Sequence, residues 1–536
     1  MLRIWHWCKY KSRDPRFLLI LVSAVLAFAV QSGEVGTADT QHRLQATHAL
    51  WTAEPPVFPN EYPEFGVHGR GGKLQSWYGI GQSLLMLPAD LVGTGIERLP
   101  TFSDYNGDDP SVRDIVVSYS TNILISVLTA LVAFRFLAQL KFSIKESVIG
   151  VLALLVSTTH LHYTQNMMEN NYIFLLTLAG FSFELEWLRT GKRSPLVIAA
   201  GALGLNLLTR LTTGLDLLAG MLFVLLVLQL EGVRGRQLWD RCRTYLATAI
   251  PIFAVFGVLD RLYQYYRFGS FFNTYLGLVA IEAKLRDSTL SPRYPFETPF
   301  HVGFFGALFS PEKSIFLFDP LLVLLTLVAV ISWKRFSPEI KAYVITSAVL
   351  LLAYISFYAR YTVWSGDFAW GDRYVSTAVQ LAAMLAVPLL MQHRQSLGRI
   401  IWYAGLAIVG VSAVIQVASL AFWLPLEIYQ KETLARPAFV IGLRLRNIVA
   451  FASGNMTAWG LDTPAMHEDA WDYVHITCWN FLPFLLKRVG VAPLWVVRTT
   501  LAVWFLNISS LVGVLLRLRM LLIESANRRR EEETLG

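Results

Sequence analysis

The stretch GEVGTADTQHRLQATHALW, from Gly33 to Trp51, carries groups that can exchange protons and directly follows the apolar run FLLILVSAVLAFAV. It holds two acids, Glu34 and Asp39, together with two histidines and an arginine. Side-chain carboxyl and imidazole groups in fixed positions act as general acids and bases. Charged groups close to a bilayer are costly and are usually paired or functional. The stretch is therefore a candidate site of proton-transfer chemistry beside a membrane.

Basic and aromatic residues follow in the run VHGRGGKLQSWYGIGQSLLMLPADLVG. Arg70 and Lys73 lie among glycines that break regular structure, and Trp77 and Tyr78 come soon after. Arginine binds phosphate bidentately and lysine binds it as a point charge. The segment QSLLMLPADLVG is apolar, too short to span a bilayer and interrupted by Pro88, which predicts a helix lying at the membrane interface.

Three more cations lie near the ends of apolar runs. Arg210 ends NLLTR, Arg267 lies in YQYYRFGSFFNTYLG, and Arg373 lies in YARYTVWSGDFAWGDRY with Trp364 and Trp370. These cations are further candidates for binding a phosphate. The aromatic residues could stack on a ligand, although Trp and Tyr at span ends also form the ordinary aromatic belt.

Two of these residues also have a structural interpretation. Arg373 is equally consistent with an ion pair to the neighbouring Asp367 or Asp372. Asp216 lies inside an apolar run, where an acid is usually paired, and Arg210 is its candidate partner one or two turns away.

Composition places these residues in a membrane protein. The chain has 536 residues, of which 54% are hydrophobic and 16% charged, and its mean hydropathy is +0.46. Soluble domains carry about 25% charged residues. The net charge of +8 does not indicate nucleic-acid binding, because basic residues of membrane proteins collect on the cytoplasmic side. The sequence predicts an all-α polytopic fold.

Apolar runs recur along the whole chain and predict about 12 transmembrane helices, since about 20 residues cross the hydrocarbon core. They lie near residues 17–31, 115–138, 147–160, 171–188, 195–211, 214–230, 247–265, 315–332, 341–358, 375–391, 400–421 and 494–516. The first run also resembles a signal peptide, and we interpret it as a retained span.

Short basic loops set the expected orientation. The basic start, the loops KFSIKES, RTGKRSP, EGVRGRQLWDRCR, SWKRFSPEIK and QHRQSLGR, and the basic tail all fall on one side, which is then the cytoplasm. An even number of spans with both termini inside follows. Cys8 and Cys242 would then be inside and Cys478 outside, so we expect no structural disulfide.

The same count predicts one membrane domain over residues 1–536 with no separate soluble domain. The long loops at 32–114, 266–314, 359–374 and 422–493 then lie outside, on the periplasmic or extracellular face of a bacterial inner membrane. Asp39 and the candidate cations lie on that same face.

Six segments, in this order, resemble the membrane glycosyltransferases of the GT-C fold, in particular the bacterial branch similar to protein O-mannosyltransferases and the Rgt-type lipopolysaccharide sugar transferases. They are TADTQHRLQATHALW, GKLQSWYGIGQSLLMLP, GLNLLTRLTTGL, YYRFGSFFNTYLG, FSPEKSIFLFDPLL and WSGDFAWGDRY. The resemblance covers almost the whole chain. It implies a GT-C-like helical bundle whose outer loops carry the active site, and a hexosyl- or pentosyltransferase activity.

The resemblance also implies roles for the candidate residues. The sugar donor would be linked to a polyprenyl phosphate, and Asp39 would be the base that deprotonates the acceptor, its pKa raised by partial desolvation. The cations proposed to meet the donor phosphate are Arg70, Lys73, Arg210, Arg267 and Arg373. The aromatic residues proposed to stack on sugar or lipid are Trp77, Tyr78, Trp364 and Trp370.

Some points remain open at the level of sequence. The family often shows a paired acid in the first outer loop, whereas Thr40 follows Asp39 here, so no cofactor is required and a divalent cation stays an alternative. The acceptor could be protein, lipid or polysaccharide. A transporter of lipid-linked sugars and an inactive GT-C scaffold are the alternatives to an enzyme. A transporter predicts polar residues along several mid-spans, whereas this sequence concentrates them on one face.

Overall fold

The computed structural model describes residues 14–57, 66–105, 107, 110–422, 426–427, 430–431, 435, 439–455, 479–490 and 492–535. Cys8 and Cys478 lie outside these ranges. Cys242 is a free thiol.

The described chain is mostly helical. In the first half the helices are α1 (Pro15–Val30), α2 (Ala38–His48), α3 (Ile80–Glu97), α4 (Val112–Gln139), α5 (Ile144–Ser157), α6 (His160–Gln165), α7 (Asn170–Thr190), α8 (Arg193–Leu207), α9 (Gly214–Leu230) and α10 (Gly235–Phe268). In the second half they are α11 (Tyr275–Arg286), α12 (Phe300–Phe309), α13 (Ile315–Phe318), α14 (Leu321–Ser332), α15 (Pro338–Tyr358), α16 (Ser376–Ala383), α17 (Ala386–Gln392), α18 (Arg394–Ser419), α19 (Val440–Ser453), α20 (Leu482–Val489) and α21 (Leu494–Leu535).

Short elements complete the fold. A two-stranded antiparallel sheet joins β1 (Gly66–His68) to β2 (Leu74–Ser76), with Val67 opposite Gln75. Short 3₁₀ helices occupy Arg70–Gly72, Pro100–Phe102, Leu211–Thr213 and Trp333–Arg335.

The helices agree with the predicted spans. Each of the twelve predicted segments overlaps a helix, although 315–332 and 375–391 are each divided between two helices. Within the described residues, six helices are long and apolar enough to cross a bilayer: Val112–Gln139, Leu211–Leu230, Gly235–Phe268, Pro338–Tyr358, Arg394–Ser419 and Leu494–Glu524. The prediction of an all-α polytopic membrane protein is confirmed, whereas the number of spans stays a prediction.

The outward face of α10 shows why such helices need a lipid environment. Val255, Val258 and Leu262 recur at helical spacing and are 57%, 57% and 48% exposed. Apolar side chains in this pattern form a continuous stripe on one side of a helix. In a bilayer that stripe contacts acyl chains.

Aromatic packing joins four of the helices in the interior. Phe136 of α4, Phe223 of α9 and Tyr343 of α15 are fully buried, and the Phe136 and Tyr343 ring centroids lie 4.9 Å apart. Phe181 of α7 meets the Phe223 ring edge-on at 5.4 Å. Such aromatic pairs add stability beyond the area that they bury. This cluster fixes the relative positions of α7, α9 and α15, whose ends lie at the candidate site.

The first helix packs against the last helix of the described chain. Its backbone carbonyl at Ala29 accepts a hydrogen bond of 2.9 Å from the Trp504 indole of α21, and the carbonyl at Val25 accepts one of 2.8 Å from the Asn507 amide. The first and last helices of the described chain are therefore joined by hydrogen bonds.

A tight turn places α2 against the start of α7. Gly36 has a φ of +100°, and a Cβ there would lie 2.7 Å from the Asn166 Cα, so only glycine fits. The Thr40 hydroxyl of α2 then donates to the Met167 carbonyl. This contact sets Asp39 beside Glu169, although 130 positions of sequence separate them.

The predicted interfacial segment is helical, and α3 is longer than predicted. Leu84, Leu91 and Val92 are exposed on one face at 44%, 45% and 56%. On the other face Asp90 is fully buried and accepts hydrogen bonds from the His48 ring and the Trp51 indole at 3.0 and 2.7 Å. The helix is thus tied to α2 on one side and presents an apolar face outward, as a membrane-interface position requires.

Candidate active site

A cavity of about 300 Å³ lies where segments distant in sequence meet. It is referred to below as the Asp39 cavity. Its lining comes from α2, from residues 77–79, from Glu169 before α7, from residues 207–212, from the end of α10, from residues 274–276 and 296, from the end of α15 and from residues 373–374. Ligand sites in proteins are typically concave and mostly apolar, with a few convergent polar groups. This cavity has that character.

Asp39 is held by two groups in the cavity. The Arg373 Nη1 donates to its Oδ2 at 2.5 Å, and the Tyr78 hydroxyl donates to its Oδ1 at 2.8 Å. The Arg43 guanidinium lies over the Tyr78 ring, 4.1 Å from its centroid. Both carboxylate oxygens therefore point at donors that favour the charged form.

The charge environment sets the pKa of Asp39 in the direction opposite to the one expected from sequence. Burial on its own raises the pKa of this carboxyl, but the nearby Arg373 and Arg43 and the Tyr78 hydrogen bond outweigh burial and hold the pKa below its ordinary value of 3.8. The expectation of a raised pKa was wrong because it counted desolvation and did not count cations contributed from elsewhere in the chain. Asp39 is an anion at neutral pH.

Glu169 is a second carboxylate of the cavity, and sequence analysis missed it. It is 2% exposed, pairs with the Arg43 guanidinium at 2.8 Å and also accepts from Arg210. Burial opposes its ionisation, yet Arg210 and Arg43 lower its pKa to about 2. The signal available in the sequence was an acid between two apolar runs, in QNMMENNY. Glu169 holds two arginines in place at the wall of the cavity.

Tyr374 and Tyr358 form an aromatic wall beside these charges. Their rings stack with centroids 4.4 Å apart. The Arg373 and Arg210 guanidinium groups lie 5.1 and 5.4 Å from the Tyr374 ring centroid. Cation–π contacts of this kind orient arginines without consuming all of their hydrogen-bond donors.

Arg267 lines the cavity and binds the backbone next to Trp77. It is 2% exposed, and its Nη1 donates to the backbone carbonyls of Ser76 and Tyr78 at 2.5 and 2.9 Å. Its Nη2 donates to Gln264 at 2.9 Å. The guanidinium therefore fixes the backbone on either side of Trp77, and most of its donors are occupied.

The structure brings together six of the ten candidate residues. Those that line the Asp39 cavity are Asp39, Trp77, Tyr78, Arg210, Arg267 and Arg373. Arg70 and Lys73 are exposed and lie outside its lining, and Arg70 instead approaches the Tyr265 ring at 5.7 Å.

The two remaining tryptophans also lie outside the lining. Trp364 packs so closely on Gly306 that a Cβ there would be 2.2 Å from its ring. Trp370 is 3% exposed and lines a different, smaller cavity.

Two expected ion pairs form with other partners. Arg373 bonds to Asp39 from α2, whereas the Asp372 carboxylate accepts from the Tyr374 backbone N–H at 3.1 Å. Arg210 pairs with Glu169, and Asp216 accepts a hydrogen bond of 3.1 Å from the Tyr354 hydroxyl. Sequence proximity suggested the wrong partners because packing between helices brought better ones closer.

The lining of the Asp39 cavity combines charged and apolar groups. Besides the charged groups described above, it includes Leu211, Leu276, Phe296 and Phe357, of which Leu211 is 44% exposed and Phe357 is 47% exposed. Leu211 begins one helix that is long and apolar enough to cross a bilayer, and Phe357 lies near the end of another. Two of the apolar lining residues therefore lie at the ends of membrane-length helices.

The part of the chain that the structure describes contains no group of three or more His, Cys, Asp or Glu side chains arranged to hold a metal ion. Asp39 and Glu169 are both engaged by arginines. The described residues thus supply cations of their own at the place where a divalent ion would otherwise balance the two acids.

No protein-family model and no curated protein matches the sequence. Among solved structures the chain is similar to ArnT from Cupriavidus metallidurans, in the apo state (13% identity, TM-score 0.43) and bound to undecaprenyl phosphate (14%, 0.42), each over 95% of this chain and 77% of that one. It is also similar to the apo Archaeoglobus fulgidus oligosaccharyltransferase at 13% identity and a TM-score of 0.42, over 77% of this chain. The match spans 56% of that oligosaccharyltransferase's length. Similarity of this degree does not establish a family or an activity for the chain.

Proposed function

We propose that the protein is a membrane glycosyltransferase of the GT-C type, which moves a sugar from a polyprenyl-phosphate donor to a hydroxyl acceptor on the periplasmic or extracellular face. The observation that carries the proposal is the mixed lining of the Asp39 cavity. Its arginines and carboxylates suit a phosphate and a sugar, and its apolar side chains, two of which lie at the ends of membrane-length helices, suit an isoprenoid chain. A water-soluble nucleotide sugar would have no use for these apolar side chains.

The charges of the lining favour an anionic donor. Three guanidinium groups, those of Arg43, Arg210 and Arg373, surround two carboxylates, those of Asp39 and Glu169. One positive charge is left over in this group, which matches the single negative charge of a sugar phosphodiester. As the glycosidic bond breaks, the lipid phosphate gains charge, and fixed cations stabilise that charge in the transition state. Arg210 and Arg373 are the cations proposed to do this.

Asp39 is the proposed base. The acceptor oxygen forms a bond to the anomeric carbon, the bond from that carbon to the phosphate oxygen breaks, and the acceptor proton passes to Asp39. A carboxylate with a low pKa is ionised but weakly basic. If the donor phosphate attracts Arg373 away from Asp39, the basicity of Asp39 rises when the donor is bound. The ion pair then acts as a resting state that the substrate itself releases.

The transporter alternative receives little support from the mid-span acids. Glu184 accepts a hydrogen bond of 2.7 Å from Tyr245, and Asp216 accepts one from Tyr354. Neither acid lines the Asp39 cavity. Buried acids with tyrosine partners are explained by packing between neighbouring spans.

The decisive experiment uses purified protein in lipid nanodiscs with a panel of polyprenyl-phosphate sugars, hexoses and pentoses, and a membrane extract from the source cells as acceptor. Release of polyprenyl phosphate and transfer of labelled sugar are measured together. Transfer by the wild type, lost in Asp39→Asn, supports the enzyme. Movement of the donor across liposome membranes without release of the carrier would establish a transporter. Absence of both transfer and movement with every donor would favour an inactive scaffold.

A further inference from the structure

The segment that carries Tyr78 is held by two other parts of the chain. The Arg267 Nη1 of α10 donates to the backbone carbonyls of Ser76 and Tyr78 at 2.5 and 2.9 Å. Gly79 packs against the residue that follows α8, since a Cβ at Gly79 would lie only 2.3 Å from the Leu208 carbonyl oxygen. The backbone on either side of Tyr78 is therefore fixed before its side chain makes any contact.

Arg267 is itself held by its own helix. It lies in the last turn of α10, where its Nη2 donates to the Gln264 Oε1 at 2.9 Å and the Gln264 amide donates to the Asp260 Oδ1 at 3.4 Å. The three residues recur at helical spacing on one face of α10, and all three are buried. The guanidinium thus fixes the backbone and has few donors left for the donor phosphate that the sequence assigned to it.

Tyr78 connects this arrangement to the proposed base. Its hydroxyl donates to the Asp39 Oδ1 at 2.8 Å, and the Arg43 guanidinium covers one face of its ring at 4.1 Å. The other carboxylate oxygen, Oδ2, accepts from the Arg373 Nη1 at 2.5 Å. The two oxygens of Asp39 therefore have partners of different kinds, a neutral hydroxyl on Oδ1 and a cation on Oδ2.

We propose that Tyr78 is a positioning residue for Asp39, that Arg267 fixes Tyr78 for this purpose, and that Oδ2 is the atom that takes the acceptor proton. This proposal rests on the proposed glycosyltransferase function. When the donor phosphate attracts Arg373 away, Oδ2 becomes free while Oδ1 keeps the Tyr78 hydroxyl. The acceptor O–H then gives its proton to Oδ2 as its oxygen bonds to the anomeric carbon. The bond from that carbon to the phosphate oxygen breaks, and its electron pair leaves with polyprenyl phosphate.

The Tyr78 hydroxyl also contributes to the charge state of the base. Its hydrogen bond lowers the pKa of Asp39, although less than the neighbouring arginines do. Removal of the hydroxyl raises this pKa, so the acidic limb of kcat/KM moves to higher pH because the free enzyme needs the ionised base. The other ionisable groups that interact electrostatically with Asp39, all retained in Tyr78→Phe, are Arg43, His42, Glu169 and Arg373.

The test compares Tyr78→Phe, Arg267→Gln and the double variant in nanodiscs, with the donor that the wild type uses. Single-turnover transfer should fall roughly 10- to 100-fold in each single variant, since small misplacements of a reacting group have effects of this size. The acidic limb of kcat/KM should shift to higher pH in both, and undecaprenyl phosphate binding, followed by native mass spectrometry, should not change.

The double variant should be no slower than the slower single variant, because both changes act through the same hydroxyl. Arg267→Lys keeps a charged donor near the two carbonyls and should recover part of the rate. It also replaces Arg267→Gln in the comparison if that variant does not fold. Tyr78→Phe removes one hydroxyl and tests the first step of the proposal by itself.

Two matched controls separate positioning from general loss of stability. Tyr354→Phe also removes a hydroxyl that donates to a buried aspartate, Asp216, at 3.1 Å. Arg444→Gln also removes a buried guanidinium that donates to a backbone carbonyl, that of Phe422. None of these four residues lines the Asp39 cavity. Both controls should leave the acidic limb and the transfer rate per folded molecule unchanged.

Four results would each overturn the proposal. They are a normal rate with an unshifted limb in Tyr78→Phe, fully additive losses in the double variant, a shifted limb in either control, and weaker undecaprenyl phosphate binding in Arg267→Gln. The last result would make Arg267 a phosphate ligand. Absence of transfer by the wild type with every donor would instead contradict the proposed function.

Discussion

The Arg373 guanidinium lies 2.5 Å from the Asp39 carboxylate, although the two residues are 334 positions apart in the chain. Their side chains are only 17% and 19% exposed. The pair joins α2 to the loop before α16 at the wall of the Asp39 cavity. The behaviour of this pair underlies the first two predictions.

Asp39→Asn should nearly abolish transfer. Asparagine keeps the size of the side chain and can still accept the Tyr78 hydrogen bond, but it cannot take the acceptor's proton. A positioned base contributes about 100- to 10,000-fold in rate, so single-turnover transfer should fall within that range while the variant still binds undecaprenyl phosphate. Glu34→Gln is the control, because Glu34 is buried outside the cavity lining. Near-normal transfer by Asp39→Asn would remove Asp39 as the base.

The pH dependence of transfer should move when Arg373 is neutralised. Because the pKa of Asp39 in the donor-free protein lies below 3.8, kcat/KM of the wild type, which reports the free enzyme, should fall through loss of the ionised base only below about pH 4. The ion pair between Asp39 and Arg373 stabilises the folded protein at pH values above the ordinary pKa of an aspartate. This stabilisation is lost as the pH falls through the lower pKa that Asp39 has in the folded protein. Arg373→Gln removes the charge that lowers the pKa of Asp39 most. The acidic limb of the normalised kcat/KM profile of this variant should therefore shift to higher pH. An unshifted limb would show that another group titrates.

Glu169→Gln should destabilise the protein and weaken donor binding together. It leaves Arg43 and Arg210 without their shared carboxylate in a buried position, and breaking a buried ion pair costs about 3–5 kcal/mol. Thermal unfolding and undecaprenyl phosphate binding are the measurements. Glu186→Gln breaks the half-exposed pair with Arg135 and should change stability by less than about 1 kcal/mol. Equal effects of the two variants would contradict the assigned role of Glu169.

The cations should separate into two classes. Arg210→Gln removes a charge that lines the cavity, and a hydrogen bond to a charged group contributes about 1.5–3 kcal/mol, so transfer per folded molecule should fall roughly 10- to 100-fold. Arg70→Gln and Lys73→Gln change exposed side chains outside the lining and should alter transfer by less than threefold, roughly the effect of an exposed charge. A large loss in Lys73→Gln would mean that the glycine-rich turn closes on the donor during the reaction.

The predicted topology can be tested with a membrane-impermeant thiol reagent in intact cells lacking native cysteines in this protein. Cysteines at Ser194, which is exposed in the first turn of α8, and at Ser337, which caps α15, should be protected because both positions are predicted inside. A cysteine at Ser365, in the loop that leads to Arg373, should react. Labelling at Ser194 from outside would reverse the assignment of the active face.

The sequence alone determined where the long apolar helices lie. Hydropathy over a run of about 20 residues depends only on that run, so the twelve predicted segments all fall on helices, and the helix near Pro88 was found as well. It also singled out Asp39, Arg210 and Arg373, because charged groups beside apolar runs are conspicuous whatever their partners are.

Only the tertiary structure decided what those charges do. Arg373 pairs with Asp39 and not with its neighbouring aspartates, Glu169 joins the site through Arg43 and Arg210, and Arg267 is occupied by backbone carbonyls. A pKa depends on the charges within a few ångströms, and the charge that lowers the pKa of Asp39 most, that of Arg373, comes from a loop 334 positions away in the chain. Local sequence therefore reports the presence of an ionisable group at the membrane, whereas packing between helices sets its partner, its protonation state and the cavity that it faces.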